Sequence, residues 1–422
     1  MRSTGLSSRE VRPGLFTWQP DPLQSRLLQL GLGIAPSSAP SSARSSDDGA
    51  EAARFESLCD ELAVAPSGEV ALQGTHLDWG TARLLPLVAW RARDAGLPST
   101  KTQILHGLLG AAMLARRVQD ATAGRIVGEL ADHGVDCLVL KGAALGHLVY
   151  PDPGTRPMSD TDLLVRPEDL DRVAAWVASR GGRIGHDELR RVDRRRFRHS
   201  ATVTLPDGEF DLHWRLLHDR FDLHPDRVLW DDPLPIRLGS APAFTPRTAH
   251  HLVHAIVHGM RLNELSPVRW LADAALLAAA PDLDWDAFVV DANRRGVGAL
   301  IAHGLVILDG VAPGAVPDGV RDRLSDNGPD HLEMWCRQTG SRPANALRYS
   351  VGGYLIGTTN WSVRRRLGTW PGYLRYIVDA GILTTRGGRT RRRARAALAA
   401  ESAVIAEPLS LRSRPRLVSP PP

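Results

Sequence analysis

"GTRPMSDTDLLVRPED", residues 154–169, decides how the chain is read. Within it Asp160 and Asp162 flank a single threonine and run into Leu163, Leu164 and Val165. Two explanations compete. In the plain structural one, Ser159, Asp160 and Pro167 punctuate a short buried strand and start the next helix. In the chemical one, residues two apart on a strand share a face, so both carboxylates aim at one point, as a divalent-cation site requires.

The flanking segments weigh on that choice. Upstream, "VDCLVL" (135–140) is a β-branched run suited to a buried strand, and "AALGHLVY" reads as a short helix. Lys141 and Gly142 lie at their junction, where backbone amides and a helix dipole can receive a phosphate, although glycine also ends many strands for backbone reasons alone. Downstream, "RPEDLDRVAAWVASRGG" has the Pro-Glu-Asp start and glycine stop of a helix. "FRHSATVTL" and "EFDLHWRL", joined by "PDG", alternate like the arms of a β-hairpin. Asp211 lies in the second arm between Phe210 and Leu212, so its carboxylate points away from two apolar side chains; His213 shares its face, and Trp214 reads as core. Aspartate is depleted in strands and costly if it points into a core, so three such acids on neighbouring strands ask for cations. The order strand, helix, strand, helix, hairpin predicts an α+β, or mixed α/β, fold with a small mixed sheet.

A glycine and small residue after one strand, two alternating aspartates on the next and one further on resemble the nucleotidyltransferase superfamily that includes DNA polymerase beta and the aminoglycoside nucleotidyltransferases. More closely, "LVLKGAALGHLVYPDPGTRPMSDTDLLVRPEDL" followed by "FDLHW" is similar to a bacterial family of uncharacterised nucleotidyltransferases. The likeness runs from about residue 78 to about 280, including the helical "RWLADAALL". It implies a polymerase-beta-like core using two Mg²⁺ ions, with Mn²⁺ as the alternative, to transfer a nucleoside monophosphate from a nucleoside triphosphate to an acceptor. By that analogy Asp160 and Asp162 hold the metals, and Asp211 holds the catalytic metal and accepts the acceptor's proton. The superfamily's usual Gly-Ser is Gly142-Ala143 here, and Lys141 and Arg156 are the expected replacement cations for the phosphates.

Composition divides the chain further. "IAPSSAPSSARSSDDGA" (34–50) is Ser/Ala/Pro-rich, so residues 1–50 are expected to be disordered. Apolar residues recurring at three and four predict a helical segment over 51–118, the core over 119–235 and a helical domain over 236–385. An Arg-rich tail, 386–422, is expected to be disordered. It carries nine arginines against Glu401 and Glu407, so its +7 turns a remainder of −2 into the net charge of +5. The basic character therefore belongs to a solvated arm. No specific nucleic-acid partner is expected, and a polymerase is disfavoured.

Three scattered cysteines without a CxxC pair, no signal-peptide core and no apolar run of transmembrane length predict a cytoplasmic protein. The acceptor is a small molecule, peptide or protein, with His254 and His258 as candidate residues of its cleft. Two readings from other classes stand beside this one: a non-catalytic binding protein keeping the fold, and a histidine-based metallohydrolase. For the latter, His250, His254 and His258 recur at i, i+4 and i+8 on one helical stripe, but no HExxH glutamate accompanies them. "SVRRRLGTWPGYLRYIVDAGIL" reads as a helix with buried aromatics and solvated arginines, and "VDRRRFRH" as a solvated face.

Overall fold

A computed structural model describes residues 19–34, 48–64, 70–72, 75–97, 102–185, 192–218, 220–260, 268–324, 354–358 and 361–379. The expected tail at 386–422, the 35–47 stretch and Cys336 lie outside them.

The centre is a mixed sheet of seven strands: β4 (Cys137–Leu140), β5 (Asp162–Val165), β6 (Arg183–Ile184), β7 (Ser200–Leu205), β8 (Gly208–His213), β9 (Leu234–Leu238) and β10 (Ala241–Thr245). Their spatial order is β6-β7-β8-β5-β4-β10-β9. The apolar runs at 137–140 and 162–165 are buried at every position, as central strands covered on both faces must be. β7 and β8 form the expected hairpin, closing with Leu205 opposite Gly208. β5 runs antiparallel to β4 and parallel to β8, with Leu140 opposite Asp162 and Asp162 opposite Asp211.

That sheet corrects the expected boundary at residue 235. β9 and β10 form a second hairpin, and β10 pairs with β4, so the core sheet reaches Thr245. "LPIRLGSAPAFT" alternates, but two prolines and a short turn hid it. A long helix, α5 (Gln103–Asp132), also crosses the expected boundary at 118/119 and rests on β9 and β10.

The N-terminal region differs too. α1 (Pro22–Leu32) lies inside the stretch expected to be disordered, and its Leu27, Leu28 and Leu30 are fully buried. Asp21 caps it, with Gln24 returning a hydrogen bond to the cap, Pro22 opening the first turn and Gly33 ending it in the left-handed conformation. The Ser/Ala/Pro composition begins only after this helix. α2 (Asp48–Glu61) follows, and a three-stranded sheet of β1 (Leu62–Val64), β2 (Val70–Leu72) and β3 (Thr75–His76) interrupts the expected helical run. α3 (Trp79–Ala82) and α4 (Leu85–Asp94) lead into α5.

Within the core, α6 (Lys141–Leu148) follows β4, α7 (Leu170–Ser179) covers one face, and α8 (Val192–Phe197) precedes the hairpin. The helical region comprises α9 (Thr248–Gly259), α10 (Arg269–Ala278), α11 (Trp285–Arg294), α12 (Gly298–Val311) and α13 (Val363–Asp379). A large apolar cluster joins α1, α4, β4 and α9 to α12, and a second fills the space between the sheet, α5 and α7. Tyr354, Trp361, Tyr373 and Ile377 bury against Phe197 and Phe221 while Arg364 and Arg365 stay exposed, matching the expected reading of α13. No helix among the described residues is long and apolar enough to cross a membrane.

α9 and α10 approach so closely that a Cβ on Gly259 would lie 2.0 Å from the Trp270 ring. Gly259→Ala is therefore expected to lower stability by about 1–3 kcal/mol, through overpacking. Gly107→Ala, a helical position with no atom within 4 Å of the added carbon, should be neutral or stabilising by up to about 1 kcal/mol. Urea unfolding of the two variants checks both signs.

Candidate active site

Strand pairing places the candidate carboxylates. Asp162 begins β5, between Leu140 at the end of β4 and Asp211 on β8. The amide of Asp211 donates to the carbonyl of Thr161 at 2.8 Å, extending the ladder one residue before β5. Among the described residues, Asp162, Asp211 and His213 are the group of acidic and histidine side chains whose ligating atoms fall within 4.8 Å of one another, close enough to share an ion.

Asp160 is not in that group. It precedes β5 on irregular backbone and is exposed, whereas Asp162 is buried, so the pair does not project as two residues of one regular strand. It still feels the site: although the residue as a whole is exposed, burial of its carboxyl group, then the negative charges of Asp162 and Asp211, raise its pKa against the pull of Lys141. That repulsion is what a cation relieves, so the donor set fits a divalent ion.

The Asp162 carboxylate is the most constrained group. Its Oδ1 accepts from Lys141 Nζ at 2.5 Å and from His213 Nε2 at 2.9 Å. Burial alone would raise its pKa, but Lys141 and His213 together hold it well below the usual carboxylate range. An ionised carboxylate can only accept, so Nε2 carries the imidazole proton, and Nδ1 is buried without a hydrogen-bond partner. The sequence placed His213 with Asp211; the structure gives it to Asp162. Asp211, half-buried, accepts from Thr202 Oγ1 at 2.8 Å and stays accessible.

At the start of α6, Lys141 has φ +48°, the one non-glycine positive φ among the described residues. Gly142 needs its missing side chain for a different reason: a Cβ there would lie 2.2 Å from Arg156 Nη1. The turn is fixed from behind by buried Arg116 on α5, which donates to the carbonyls of Gly142 at 3.1 Å, Ala143 at 2.8 Å and Pro153 at 3.3 Å, and pairs with Asp120 at 2.7 Å.

Arg156 has another employment than the one expected. Its Nε and Nη2 each lie 2.7 Å from the carboxylate of Asp273 on α10, a buried bidentate pair, and the Tyr150 hydroxyl donates to the same carboxylate at 2.6 Å. Its charge is already matched, and it acts as a tie between the Asp160 loop and the helical region. Arg269 donates to the Pro157 carbonyl at 2.6 Å and Gln119 to that of Met158 at 2.8 Å, so the loop is held from both sides. Sequence reasoning missed Asp273, Tyr150 and Arg116 as members of this machinery. The readable signal was a lone acid in the otherwise apolar "WLADAALLAAA".

The α9 histidines divide. His250 Nδ1 binds Asp291 at 2.9 Å, part of a buried network in which Arg295 also meets Asp291 and Asp226. His254 is buried, its ring 5.8 Å from that of His258. Burial, then the charge of Lys141 and the neighbouring His213, hold His254 neutral at pH 7. The three therefore do not converge as a metal stripe among the described residues. His199, edgewise to His213 at 5.1 Å and to His218 at 4.8 Å, extends the imidazole lining instead.

A family profile described as "Uncharacterised nucleotidyltransferase" matches residues 80–311, from α3 through α12. No match emerged among curated proteins or among solved structures.

The tie at Arg156 yields a stability prediction. The pKa of Asp273 would be raised by burial but is lowered by Arg156, so its contribution is present above the unfolded carboxylate value of about 3.9 and fades as pH falls through the lower folded value. Asp273→Ala, which leaves a buried guanidinium unpaired, should cost about 3–5 kcal/mol. Urea unfolding of this variant and the parent protein should give the same difference at pH 7 and pH 5.5, narrowing only below about pH 4.

Proposed function

Because the chain belongs to the family of uncharacterised nucleotidyltransferases, we propose that this site moves a nucleoside monophosphate from a nucleoside triphosphate to an acceptor, using Mg²⁺ and releasing pyrophosphate. The observation that carries the reading is the register of Asp162 against Asp211 on adjacent parallel strands, with the start of α6 beside them. Asp160, Asp162 and Asp211 would hold the divalent ion. When bound, that ion neutralises charge on the phosphate oxygens and eases departure of pyrophosphate.

The chain's own groups account for the rest. The Lys141 ammonium and the free amides at the start of α6 offer positive charge to the triphosphate, which takes the place of the missing serine hydroxyl. Gly142 lets that backbone turn sit against Arg156. Asp211, accessible and oriented by Thr202, is placed to take the proton of the attacking acceptor atom. The bond between that atom and the α-phosphorus forms as the bond from phosphorus to the bridging pyrophosphate oxygen breaks. His213 acts on Asp162, steadying its orientation. His254, kept neutral, suits hydrogen bonding in an acceptor cleft with His258 more than it suits binding an anion.

A small molecule, peptide or protein fits as acceptor. Three scattered cysteines without a CxxC pair suit a reducing cytoplasm.

The test is transfer of label from α-labelled nucleoside triphosphates, with Mg²⁺ present, to small-molecule, peptide and protein panels; γ-labelled nucleotide should label nothing. Asp162→Asn and Asp211→Asn are each expected to reduce transfer by about 10²-fold or more. Undiminished labelling by the double variant would sink the assignment, and absence of any transfer or nucleotide binding would favour a non-catalytic role.

A further inference from the structure

Lys141 stands out for its backbone. A non-glycine residue in the left-handed region costs on the order of 1 kcal/mol and persists only where its surroundings impose it. Here that conformation brings the ammonium to 2.5 Å from Asp162 Oδ1, an oxygen His213 already binds at 2.9 Å. Asp162 is only 2% exposed at its side chain and Lys141 21%, so this is a nearly desolvated pair at the mouth of the site. The lysine also opens α6, so its four-carbon stem starts where a triphosphate would meet the free amides of the helix.

We propose that Lys141 is a resident competitor for the metal-binding carboxylate: its ammonium holds Asp162 until a triphosphate draws it away, so that divalent cation and nucleotide bind cooperatively. The inference rests on the nucleotidyltransferase reading and adds an order to it. A divalent ion arriving alone meets an oxygen already shared by two hydrogen-bond donors and a neighbouring positive charge, which opposes it at short range. A triphosphate offers the ammonium oxygens of higher charge, and swinging to them releases Asp162 to the incoming ion. By linkage, whatever the nucleotide adds to cation affinity the cation adds to nucleotide affinity. His213 stays with Asp162 and holds the carboxylate in place. Neutral His254 adds no second competing cation.

The consequence is opposite in sign to that of an ordinary supporting residue. Removing Lys141 should strengthen binding of the metal by itself while weakening that of the nucleotide. Mn²⁺ binding to the full chain can be followed by the electron paramagnetic resonance signal of the free ion, with and without an α,β-methylene nucleoside triphosphate that cannot be transferred. Lys141→Met and Lys141→Gly should each bind Mn²⁺ alone roughly fivefold to tenfold more tightly than the parent protein, as expected for loss of a partly screened charge. The glycine variant also relieves the left-handed backbone, so folding does not confound the pair. Both should lose most of the nucleotide-induced gain in Mn²⁺ affinity seen in the parent protein. Unchanged or weaker Mn²⁺ binding in the two variants would overturn the proposal and leave the carboxylate site standing. Wild-type Mn²⁺ affinity in Asp162→Asn would instead overturn the carboxylate site itself, and the proposal with it.

Discussion

A carboxylate with almost no exposed surface sits at the start of β5, the middle strand of the central sheet, and the surrounding architecture is organised by that charge. Burial pushes the pKa of Asp162 up, and two donors on one oxygen more than offset it and keep the carboxylate ionised. One donor comes from the strand end that pairs with β5, the other from the strand on its opposite side. Three strands thus have to be in register before the charge is tolerable, which couples the site's electrostatics to correct assembly of the sheet. The left-handed Lys141 follows from the same demand, since its ammonium has to turn back toward a residue on the neighbouring strand.

Two buried ion networks join the sheet to the helical region, and they share a logic. Arg156 with Asp273 and Tyr150 joins the Asp160 loop to α10, while Arg295 with Asp226 and Asp291 joins the segment after β8 to α11. Buried ion pairs add little net stability relative to apolar packing, but losing one partner is costly because it strands the other charge. Their value is therefore geometric. A loop carrying an exposed acid would otherwise drift; here Arg116, Gln119 and Arg269 hold the carbonyls of Pro153, Met158 and Pro157, and the loop's own Arg156 is anchored on Asp273.

Much of this was legible before any coordinates, for reasons that can be stated. The β4 and β5 runs, the turn at Pro206 and Asp207, and the α9 and α10 helices carry recognisable patterns, and the structure follows them. The bringing together of Asp162 and Asp211 was readable because acids in strands are expensive. What escaped depends on partners distant in sequence. Arg156 and Asp273 are 117 residues apart, so nothing local distinguishes an arginine awaiting phosphate from one already paired. The β9–β10 hairpin escaped because its first pairing outside itself is with β4, about a hundred positions earlier. α1 is short and is followed directly by a Ser/Ala/Pro-rich stretch that dominates the local composition.

The pairing of Arg156 with Asp273 bears on the Gly142-Ala143 departure noted in the sequence. A serine hydroxyl after the glycine would be an uncharged phosphate ligand; Ala143 supplies none, and the nearest guanidinium is committed to Asp273. Lys141, which opens α6, lies against the Asp162 carboxylate instead. On the proposed reading, one side chain stands between the triphosphate and the aspartates. An arginine would be poorly suited to that position: its rigid fork favours a lasting bidentate grip, as Arg156 shows on Asp273. A compact ammonium on a flexible stem can exchange one anionic partner for another with little rearrangement.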